Sequence, residues 1–307
     1  MNHENGDLKI MQSWPLERKI SVTQSLIIEW YMRHNGQVAV SFSGGKDSTV
    51  LLDLARRCFP DIEAVYVDTG MEFPEVRDFI MTIPNMTVLK PQMNFKQVLD
   101  TYGWCFPTKE MAYTIHYARR GSKWALDRLH GVNADGSPNR YRQSHYMKWA
   151  FLLDAPFKIS DGCCLVMKER PIDNFQKRSG KLAIVGTRAQ ESERRRQAWL
   201  RTGCNAYDSK RPMSKPLSFW MDQDVLHYIR DFNVSYASVY GEIAMDENGQ
   251  LYTTGETRTG CIFCPIGCNR EKVNRFQRLA ITRPMLYEYC VYTLGLGELL
   301  DYAGVDY

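Results

Sequence analysis

A short glycine-containing segment holds the residues of this sequence that could most directly do chemistry. Residues 41–49 read Ser-Phe-Ser-Gly-Gly-Lys-Asp-Ser-Thr and follow an apolar run at 38–40. Where a buried strand ends at two glycines and a helix begins, backbone N–H groups converge on one point and form an anion site. Gly44 and Gly45 allow a ligand to approach the backbone closely, and Lys46 adds a mobile positive charge. The segment therefore predicts a site for a phosphate chain. The alternative is a plain glycine turn with an exposed lysine.

The spacing of this loop differs from that of the P-loop in common NTPases, which has four residues between its first glycine and the Gly-Lys pair. The string Ser-Gly-Gly-Lys-Asp-Ser at 43–48 instead resembles the pyrophosphate loop of the ATP pyrophosphatase superfamily. That resemblance implies that the loop holds the pyrophosphate of ATP while the AMP half activates a substrate. The hydroxyls of Ser43 and Ser48 would offer further hydrogen-bond donors.

Four of the nine cysteines fall in two tight pairs, Cys163-Cys164 and Cys261-x-x-Cys264. A Cys-x-x-Cys turn places two thiolates within reach of one metal centre. Adjacent cysteines usually point apart, and a [4Fe–4S] cube tolerates such a pair better than a single tetrahedral zinc ion does. The pattern favours an iron–sulfur cluster on these four residues, with a structural zinc site and buried thiols as the alternatives.

The other cysteines receive different interpretations. Cys204 and Cys268 lie in turn-like segments and could substitute for one of the four ligands. Cys290 lies in an apolar helical pattern, which is more typical of the core than of a nucleophile. Cys58 and Cys105 are interpreted as packing or loop residues.

Strands and helices alternate around the loop, and their order predicts the fold class. An amphipathic helix is predicted over 15–34, after a polar and loose segment at 1–12. Strands are predicted at 38–40, 62–67, 87–89 and 182–185, with polar or glycine residues after several of them. This pattern indicates an α/β fold with a doubly wound parallel sheet, whose ligand crevice lies at the carboxyl ends of the strands.

A basic and aromatic stretch at 111–159 interrupts the strand pattern. A turn cluster at 133–139 predicts two helices joined by a loop. Two interpretations stay open: a positive face that stacks on a nucleic-acid strand, or a solvated helical pair whose tryptophans pack inward. The side chains concerned lie within 119–149 and are Arg119, Arg120, Lys123, Trp124, Arg128, Arg140, Tyr141, Arg142, Tyr146, Lys148 and Trp149.

Composition limits the class of protein. A chain of 307 residues with 44% apolar residues can bury a full core, and its net charge of +4 suits phosphorylated ligands. No apolar run is long enough for a membrane span, and the first residues show no signal-peptide pattern, so we expect a cytoplasmic protein without a membrane partner. In that reducing location, cysteines indicate metal ligands or thiols and not disulfides.

Several motifs, in the same order, resemble those of the phosphoadenosine/adenosine phosphosulfate reductase family over about 38–290. They are Asp68-Thr69-Gly70 with Phe73-Pro74-Glu75, the paired cysteines with Lys168, Arg170 and Pro171, Gly186-x-Arg188-x-x-Glu191-Ser192 with Arg194 to Arg196, Lys215-Pro216-Leu217 with Trp220, and Cys261-x-x-Cys264. The resemblance implies an adenine nucleotide alpha hydrolase-like fold. Its expected parts are a tail and helix at 1–35, a nucleotide-binding α/β domain at 36–110 and 160–240, a basic helical insertion at 111–159, and a C-terminal Cys-x-x-Cys region at 241–307.

The resemblance, taken with the loop, implies a set of site residues. Those expected to bind the nucleotide are Ser41, Ser43, Gly44, Gly45, Lys46, Asp47, Ser48, Asp68, Thr69, Gly70, Gly186, Arg188, Glu191 and Ser192. Those expected to be catalytic are Lys46, Asp47, Asp68 and Arg188. Asp68 would place Mg²⁺ or the ribose, and Arg188 would steady the α-phosphate or an acidic acceptor. Lys168 would link the cluster to an anionic ligand.

Two departures from the reductases direct the expected activity. The family's tail Glu-Cys-Gly-x-His, whose cysteine attacks the sulfonucleotide, has no counterpart at 300–307, and Cys290 lacks the glycine and the histidine. The Gly-Gly-Lys-Asp loop is complete, as in the ATP pyrophosphatase of DNA phosphorothioation systems.

We therefore expect an iron–sulfur ATP pyrophosphatase that uses ATP with Mg²⁺ to activate a substrate for sulfur transfer. A sulfur donor protein and nucleic acid are the expected partners besides ATP. One alternative is a thiol-dependent sulfonucleotide reductase that uses Cys290. The other is a non-catalytic subunit that binds a nucleotide or nucleic acid.

Overall fold

The computed structural model describes residues 3–307. Its strands are β1 (Val38–Ser41), β2 (Ala64–Val67), β3 (Met86–Leu89), β4 (Leu182–Val185), β5 (Asn205–Ala206), β6 (Met213–Ser214), β7 (Ile243–Met245) and β8 (Leu251–Thr253). Its helices are α1 (Asn5–Gln12), α2 (Leu16–Arg33), α3 (Lys46–Cys58), α4 (Pro74–Met81), α5 (Phe95–Tyr102), α6 (Lys109–Ala118), α7 (Lys123–Leu129), α8 (Arg140–His145), α9 (Gly162–Cys164), α10 (Arg170–Ser179), α11 (Glu193–Thr202), α12 (Asp222–Asp231), α13 (Arg275–Thr282), α14 (Pro284–Glu288) and α15 (Leu296–Tyr302). Short 3₁₀ helices lie at Met147–Asp154, Ala189–Glu191, Ser238–Tyr240 and Cys268–Arg270, and π-helices at Leu165–Glu169 and Tyr289–Thr293.

These elements form two compact units within residues 3–307. The first unit consists of the chain up to Asp68, Glu72–Lys90 and Pro171–Ile262. The second consists of Thr69–Met71, Pro91–Arg170 and Phe263–Tyr307. Strands β1 to β8 all belong to the first unit, and the second is built from helices and connecting segments. The four-part division expected from the sequence stays a prediction.

The main sheet of the first unit has six strands among the described residues, in the order β3-β2-β1-β4-β6-β5. Neighbouring strands are parallel except β5 and β6. Ser41 at the end of β1 pairs with Val65 on one side and Val185 on the other, so the strand order reverses between β1 and β4. A sheet of this type opens a ligand crevice at such a reversal. The doubly wound α/β fold predicted from the sequence is therefore confirmed.

The strand and helix around the glycine loop follow from the local sequence. Residues 38–40 of β1 are buried, as expected for a parallel strand covered on both faces. Helix α3 begins at Lys46, directly after Gly45, and buries an apolar stripe that includes Leu51 and Leu54. The loop therefore connects two buried elements, β1 and α3, which fix the positions of its two ends.

Helix α12 is fixed against α2 by a buried ion pair. Lys19 of α2 is 2% exposed, and its Nζ lies 2.5 Å from Asp224 Oδ2. Asp224 also accepts the backbone N–H of Met221 at 2.6 Å and so caps the first turn of α12. Breaking a paired buried charge costs about 3–5 kcal/mol. The pair therefore holds Asp222 and Gln223, the first residues of α12, in place.

Two local predictions were wrong. Residues Asn5–Gln12 form α1 and not a loose segment, because Asp7 accepts the N–H of Glu4 at 2.9 Å and Leu8 is buried. The basic stretch forms α6, α7, α8 and a 3₁₀ helix in place of two helices. Gly121 and Gly131 follow the ends of α6 and α7 with φ of 79° and 74°, conformations that favour glycine and stop a helix. Within residues 3–307, no helix is both long and apolar enough to cross a membrane.

Candidate functional site

A cavity of ≈590 Å³ opens where β1 and β4 meet in the first unit. This volume lies within the range of small-molecule sites, about 300–1,000 Å³. Its walls come from the loop after β1, the end of β4, the start of α12, and β8 with the segment after it. The lining residues are Ser41, Ser43, Gly45, Lys46, Asp47, Ser48, Val185, Gly186, Thr187, Arg188, Glu191, Arg195, Asp222, Gln223, Val225, Leu226, Tyr240, Leu251, Tyr252, Thr253, Thr257, Arg258 and Thr259.

The shape of the phosphate loop depends on one glycine and one serine. Gly44 has φ of +69°, and a Cβ there would lie 2.7 Å from Val76 Cγ1, so only glycine fits. Ser48 Oγ accepts the N–H of Ser43 at 3.2 Å and donates to Gly45 O at 2.9 Å. The Ser48 hydroxyl therefore closes the loop from within, while Ser43 is exposed toward the cavity.

Lys46 is held over the loop by the segment that follows β8. Its Nζ donates to Thr257 O at 3.1 Å and lies 4.7 Å from the centroid of the Tyr240 ring. Burial lowers the pKa of Lys46; Asp47 and Asp222 oppose this effect, and nearby arginines add to it. A partly desolvated ammonium of this kind interacts more strongly with an anion than a solvated one does.

Arg188 is 4% exposed and its guanidinium is compensated by two carboxylates. Its Nε lies 2.7 Å from Asp47 Oδ1, in an ionic contact that is not aligned as a hydrogen bond. Its Nη2 donates to Asp222 Oδ1 at 2.6 Å, and its backbone N–H donates to Glu191 Oε1 at 2.8 Å. Arg195 in turn forms an ion pair with Glu191. Arg188 therefore ties the phosphate loop to α12.

Besides Gly44 of the loop itself, four predicted nucleotide ligands are absent from the cavity lining: Asp68, Thr69, Gly70 and Ser192. Asp68 is 8% exposed and its Oδ2 accepts from Arg77 Nη2 at 2.9 Å. Ser192 caps α11 by accepting the N–H of Arg195 at 3.3 Å. Thr69 belongs to the second unit together with Gly70, and its Oγ1 accepts the N–H of Met71 at 3.2 Å. Neither Asp68 nor Ser192 lines the cavity.

The second unit contains a group of cysteines drawn from separate parts of the chain: Cys105, Cys163, Cys164 and Cys264. Burial raises the pKa of the Cys105 thiol, and the charges of Cys164, Cys264 and Cys163 raise it further. Lys109 contacts Cys164; burial lowers the pKa of Lys109, but its interactions with Cys164, Glu169 and Cys105 together outweigh burial and raise it. Thiols that influence one another's ionisation lie close together.

These thiols match a metal centre in kind but not in arrangement. Thiolates are the usual ligands of iron–sulfur clusters and structural zinc. Among residues 3–307, however, no three His, Cys, Asp or Glu side chains are grouped so that they could hold a metal ion. A cluster on Cys163, Cys164, Cys261 and Cys264 therefore stays a prediction.

The remaining cysteines with a predicted role, and Lys168, are each described by their local surroundings. Burial raises the pKa of Cys204 and of Cys268 to about 11, and Trp199 Nε1 donates to Cys204 Sγ at 3.4 Å. Cys290 is fully buried, and burial raises its pKa as well. Lys168 lies in the π-helix Leu165–Glu169 that continues α9.

The sequence model of one known family, described as the phosphoadenosine phosphosulfate reductase domain, matches residues 37–116 and 108–271. This chain belongs to that family. The match spans the phosphate loop, the arginine segment at Arg188 and the Cys261-x-x-Cys264 pair. The resemblance predicted from the sequence is confirmed, and so is membership in a family of nucleotide-processing enzymes.

Named relatives of this phosphosulfate reductase family member are distant. The adenosine 5′-phosphosulfate reductase of Staphylococcus epidermidis is 23% identical over 240 residues, 78% of this chain and 74% of that protein. The phosphoadenosine 5′-phosphosulfate reductase of Xylella fastidiosa is 25% identical over 226 residues, 73% of this chain and 76% of that protein. An uncharacterized protein of Methanocaldococcus jannaschii is 33% identical over 141 residues, 37% of this chain and 33% of that protein's length.

Solved structures also resemble the chain at low identity. The phosphoadenylyl-sulfate reductase of Candida auris, in a phosphate complex, has 15% identity and a TM-score of 0.42, and covers 81% of this chain and 98% of its own. The FMN adenylyltransferase of Candida glabrata, in complex with ATP, has 14% identity and a TM-score of 0.37, and covers 78% of this chain and 66% of its own.

The cations of the basic stretch in this family member are largely engaged within the fold. Arg119 donates to the carbonyl oxygens of Leu152, Leu153, Ala155 and Phe157 at 2.6–3.0 Å. Lys123 pairs with Asp127 at 2.8 Å, Arg128 with Glu110 at 3.3 Å, and Arg142 donates to Val132 O. These contacts favour the interpretation of a solvated helical region over that of a nucleic-acid face. The expectation that the tryptophans pack inward was wrong for Trp124, which is 39% exposed.

Sequence reasoning missed residues that the fold brings to each site. Asp222, Tyr240 and Arg258 line the cavity, although none of them lies in a motif that the sequence analysis singled out. Cys105 and Lys109 join the cysteine group, yet neither lies in a paired-cysteine motif. Their contacts depend on residues far away in the sequence.

Proposed function

We propose that this phosphosulfate reductase family member is an ATP pyrophosphatase that splits ATP into AMP and pyrophosphate and so activates a substrate for sulfur transfer. One observation supports this most directly. The complete loop at 43–48 forms a wall of the ≈590 Å³ cavity. Its last residues, from Lys46 onward, are the first turn of α3. Backbone N–H groups at such a helix start bind phosphates.

In this proposal the loop binds the β- and γ-phosphates. The space beside Gly45 is open to a phosphate oxygen. Even a Cβ on Gly45 would make only ordinary contacts there, 3.4 Å from Ser43 Oγ and 3.6 Å from the Tyr240 hydroxyl. Asp47, Arg188 and Asp222 form an ion-paired support that fixes the loop. An acceptor hydroxyl loses its proton to solvent as its oxygen attacks the α-phosphorus; the bond to the bridging oxygen breaks and pyrophosphate leaves with the electron pair. The acceptor is then adenylylated, and AMP leaves when a sulfur nucleophile displaces it; with water as the acceptor, AMP forms directly. The fixed dipoles and Lys46 stabilise that charge.

The proposed enzyme also holds Mg²⁺ and an iron–sulfur cluster, and neither takes part in the bond changes described above. Mg²⁺ would accompany ATP and neutralise its phosphates. Asp68, predicted to place Mg²⁺ or the ribose, pairs with Arg77 at 2.9 Å and lies outside the cavity lining, so that role stays a prediction. The cluster is proposed from the cysteine spacing and would serve as structural support or as a point of sulfur delivery. A sulfur donor protein is proposed from the sequence resemblance. A nucleic-acid acceptor is proposed from the basic and aromatic composition of 119–149, although the internal contacts of Arg119, Lys123 and Arg128 weigh against it.

A sulfonucleotide reductase is the second candidate, because the named relatives from Staphylococcus epidermidis and Xylella fastidiosa are reductases. That chemistry needs an accessible thiolate. Cys290 is fully buried within the π-helix Tyr289–Thr293, and its pKa is raised by burial. This environment favours a packing role, and thus favours the first candidate.

One experiment separates the candidates. The full chain is incubated with ATP and Mg²⁺, and separately with phosphoadenosine phosphosulfate plus reduced thioredoxin. In the first mixture water is the only acceptor, so we expect hydrolysis of ATP to pyrophosphate and AMP; we expect no sulfite from the second. Sulfite release would overturn the proposal. Tight nucleotide binding without turnover in either mixture, and with each candidate acceptor class added, would identify a non-catalytic subunit.

A further inference from the structure

The segment after β8 places a second positive side chain beside the phosphate loop. Thr257 O accepts from Lys46 Nζ at 3.1 Å, and Thr259 Oγ1 shares a 2.5 Å hydrogen bond with the Tyr240 hydroxyl. Both flanking residues are thereby anchored to the wall that holds Lys46. Arg258 lies between them and lines the same cavity.

Arg258 differs from the other arginines of the cavity because its charge is not neutralised by a carboxylate among residues 3–307. Arg188 and Arg195 have the carboxylate partners described above. Throughout residues 3–307, the structure gives the exposed Arg258 guanidinium no hydrogen bond and no ion pair. Burial lowers the pKa of Lys46 and of Arg195, and the charge of Arg258 lowers both further. Arg258 therefore lies near enough to Lys46 for both charges to act on a ligand in the same part of the cavity.

We propose that Arg258 binds the pyrophosphate end of the nucleotide together with Lys46. Two cations that line one cavity and form no ion pair within residues 3–307 suit a ligand group that carries several negative charges. A guanidinium also offers a planar fork to phosphate oxygens. In the proposed reaction, Arg258 stabilises the charge that builds on the departing pyrophosphate. This second role rests on the proposed function, whereas the binding role rests on the cavity alone.

The test measures the binding of inorganic pyrophosphate and of AMP to the full chain by calorimetry, without turnover. In Arg258→Ala we expect pyrophosphate affinity to fall about 10- to 100-fold, the usual effect of losing a hydrogen bond between charged groups. We expect AMP affinity to be unchanged. Arg258→Lys should restore part of the loss, because it keeps the charge and removes the fork. Arg201→Ala, on α11 and outside the cavity lining, is the matched control and should change neither affinity.

Unchanged pyrophosphate affinity in Arg258→Ala would overturn the inference. An equal loss of pyrophosphate and AMP affinity would also overturn it, since it would show a general disturbance of the cavity. Thermal unfolding of each variant identifies any folding defect. If Arg258→Ala is defective in folding, the pyrophosphate affinity of Arg258→Lys, compared with that of the wild type, decides the test. If the wild-type chain does not cleave ATP but its pyrophosphate affinity depends on Arg258, the proposed function fails and this inference stands. If ATP is cleaved and pyrophosphate affinity ignores Arg258, the inference fails alone.

Discussion

The phosphate loop of the first unit and the cysteine group of the second are assembled in opposite ways. The loop is one continuous segment, 43–48, whose shape follows from the positive φ of Gly44 and the closure by Ser48. The cysteine group draws Cys105, Cys163, Cys164 and Cys264 from three separated segments. The difference teaches that a contiguous site can be identified from its own residues, whereas a dispersed site depends on the fold that gathers it.

Removing one predicted cluster thiol should have the largest effect, and it should affect the cysteine group without affecting the phosphate loop. If the predicted cluster is present, Cys264→Ser should abolish the iron and labile sulfide of anaerobically purified protein, because the cluster loses a thiolate ligand. ATP affinity should persist, since the cavity is lined by other residues. Iron and sulfide analysis with a parallel ATP titration checks both outcomes. A colourless, zinc-containing wild-type protein would contradict the cofactor prediction.

The identity of the fourth ligand can be sharpened with two further variants. From the sequence pattern we expect Cys261→Ser to lose iron as Cys264→Ser does, and Cys105→Ser to retain it. The reverse result would assign the fourth position to Cys105, the thiol that the structure adds to the group. Cys58→Ser, which lies in α3 of the first unit, serves as the control for loss of an unrelated thiol.

Gly44→Ala tests whether the loop depends on local geometry. The new Cβ would meet Val76 Cγ1 at 2.7 Å and Ile80 Cγ1 at 2.8 Å, in a residue with φ of +69°. We expect the free energy of unfolding to fall by about 2–4 kcal/mol from overpacking and backbone strain together. Urea unfolding measures the change.

Gly180→Ala is the matched control for Gly44→Ala. Gly180 has φ of +71°, but a Cβ there would meet nothing within 4 Å. Only backbone strain applies, and we expect a loss of about 1–2 kcal/mol. Equal losses in the two variants would show that the contacts with Val76 and Ile80 do not constrain the loop.

Lys46→Ala should weaken ATP binding about 10- to 100-fold, because a charge-assisted contact with the phosphates is lost. Iron content should not change, which distinguishes this variant from those of the cysteine group. Fluorescence titration with ATP gives the affinity. Lys177→Ala, which removes an exposed lysine of α10, should leave ATP affinity at the wild-type value. Wild-type affinity in Lys46→Ala would refute the assignment of the loop.

Cys290→Ala should have the smallest effect. Cys290 is fully buried, so removal of its sulfur should cost about 0.5–1.5 kcal/mol of stability, in the range of small core truncations. The rate of pyrophosphate release per folded molecule should not change. Complete loss of activity in a folded Cys290→Ala variant would instead support the reductase alternative.

Much of the first unit could be predicted from the sequence because its elements are locally encoded. The strands predicted at 38–40 and 182–185 lie where the structure has β1 and β4, and the loop between β1 and α3 follows from two glycines. The side-chain contacts of Asp68 could not be predicted. Its carboxylate pairs with Arg77 of the next helix, a contact that depends on how that helix packs.

The sequence by itself determined the phosphate loop, the parallel sheet and the family, since each follows from a contiguous pattern or from motifs in order. Only the tertiary structure decided which cations of the cavity are compensated. Arg188 forms ion pairs with Asp47 and Asp222, whereas Lys46 and Arg258 line the cavity and form no ion pair with any carboxylate of residues 3–307. Coulomb energy depends on distance and burial in three dimensions, and residue order along the chain does not specify either.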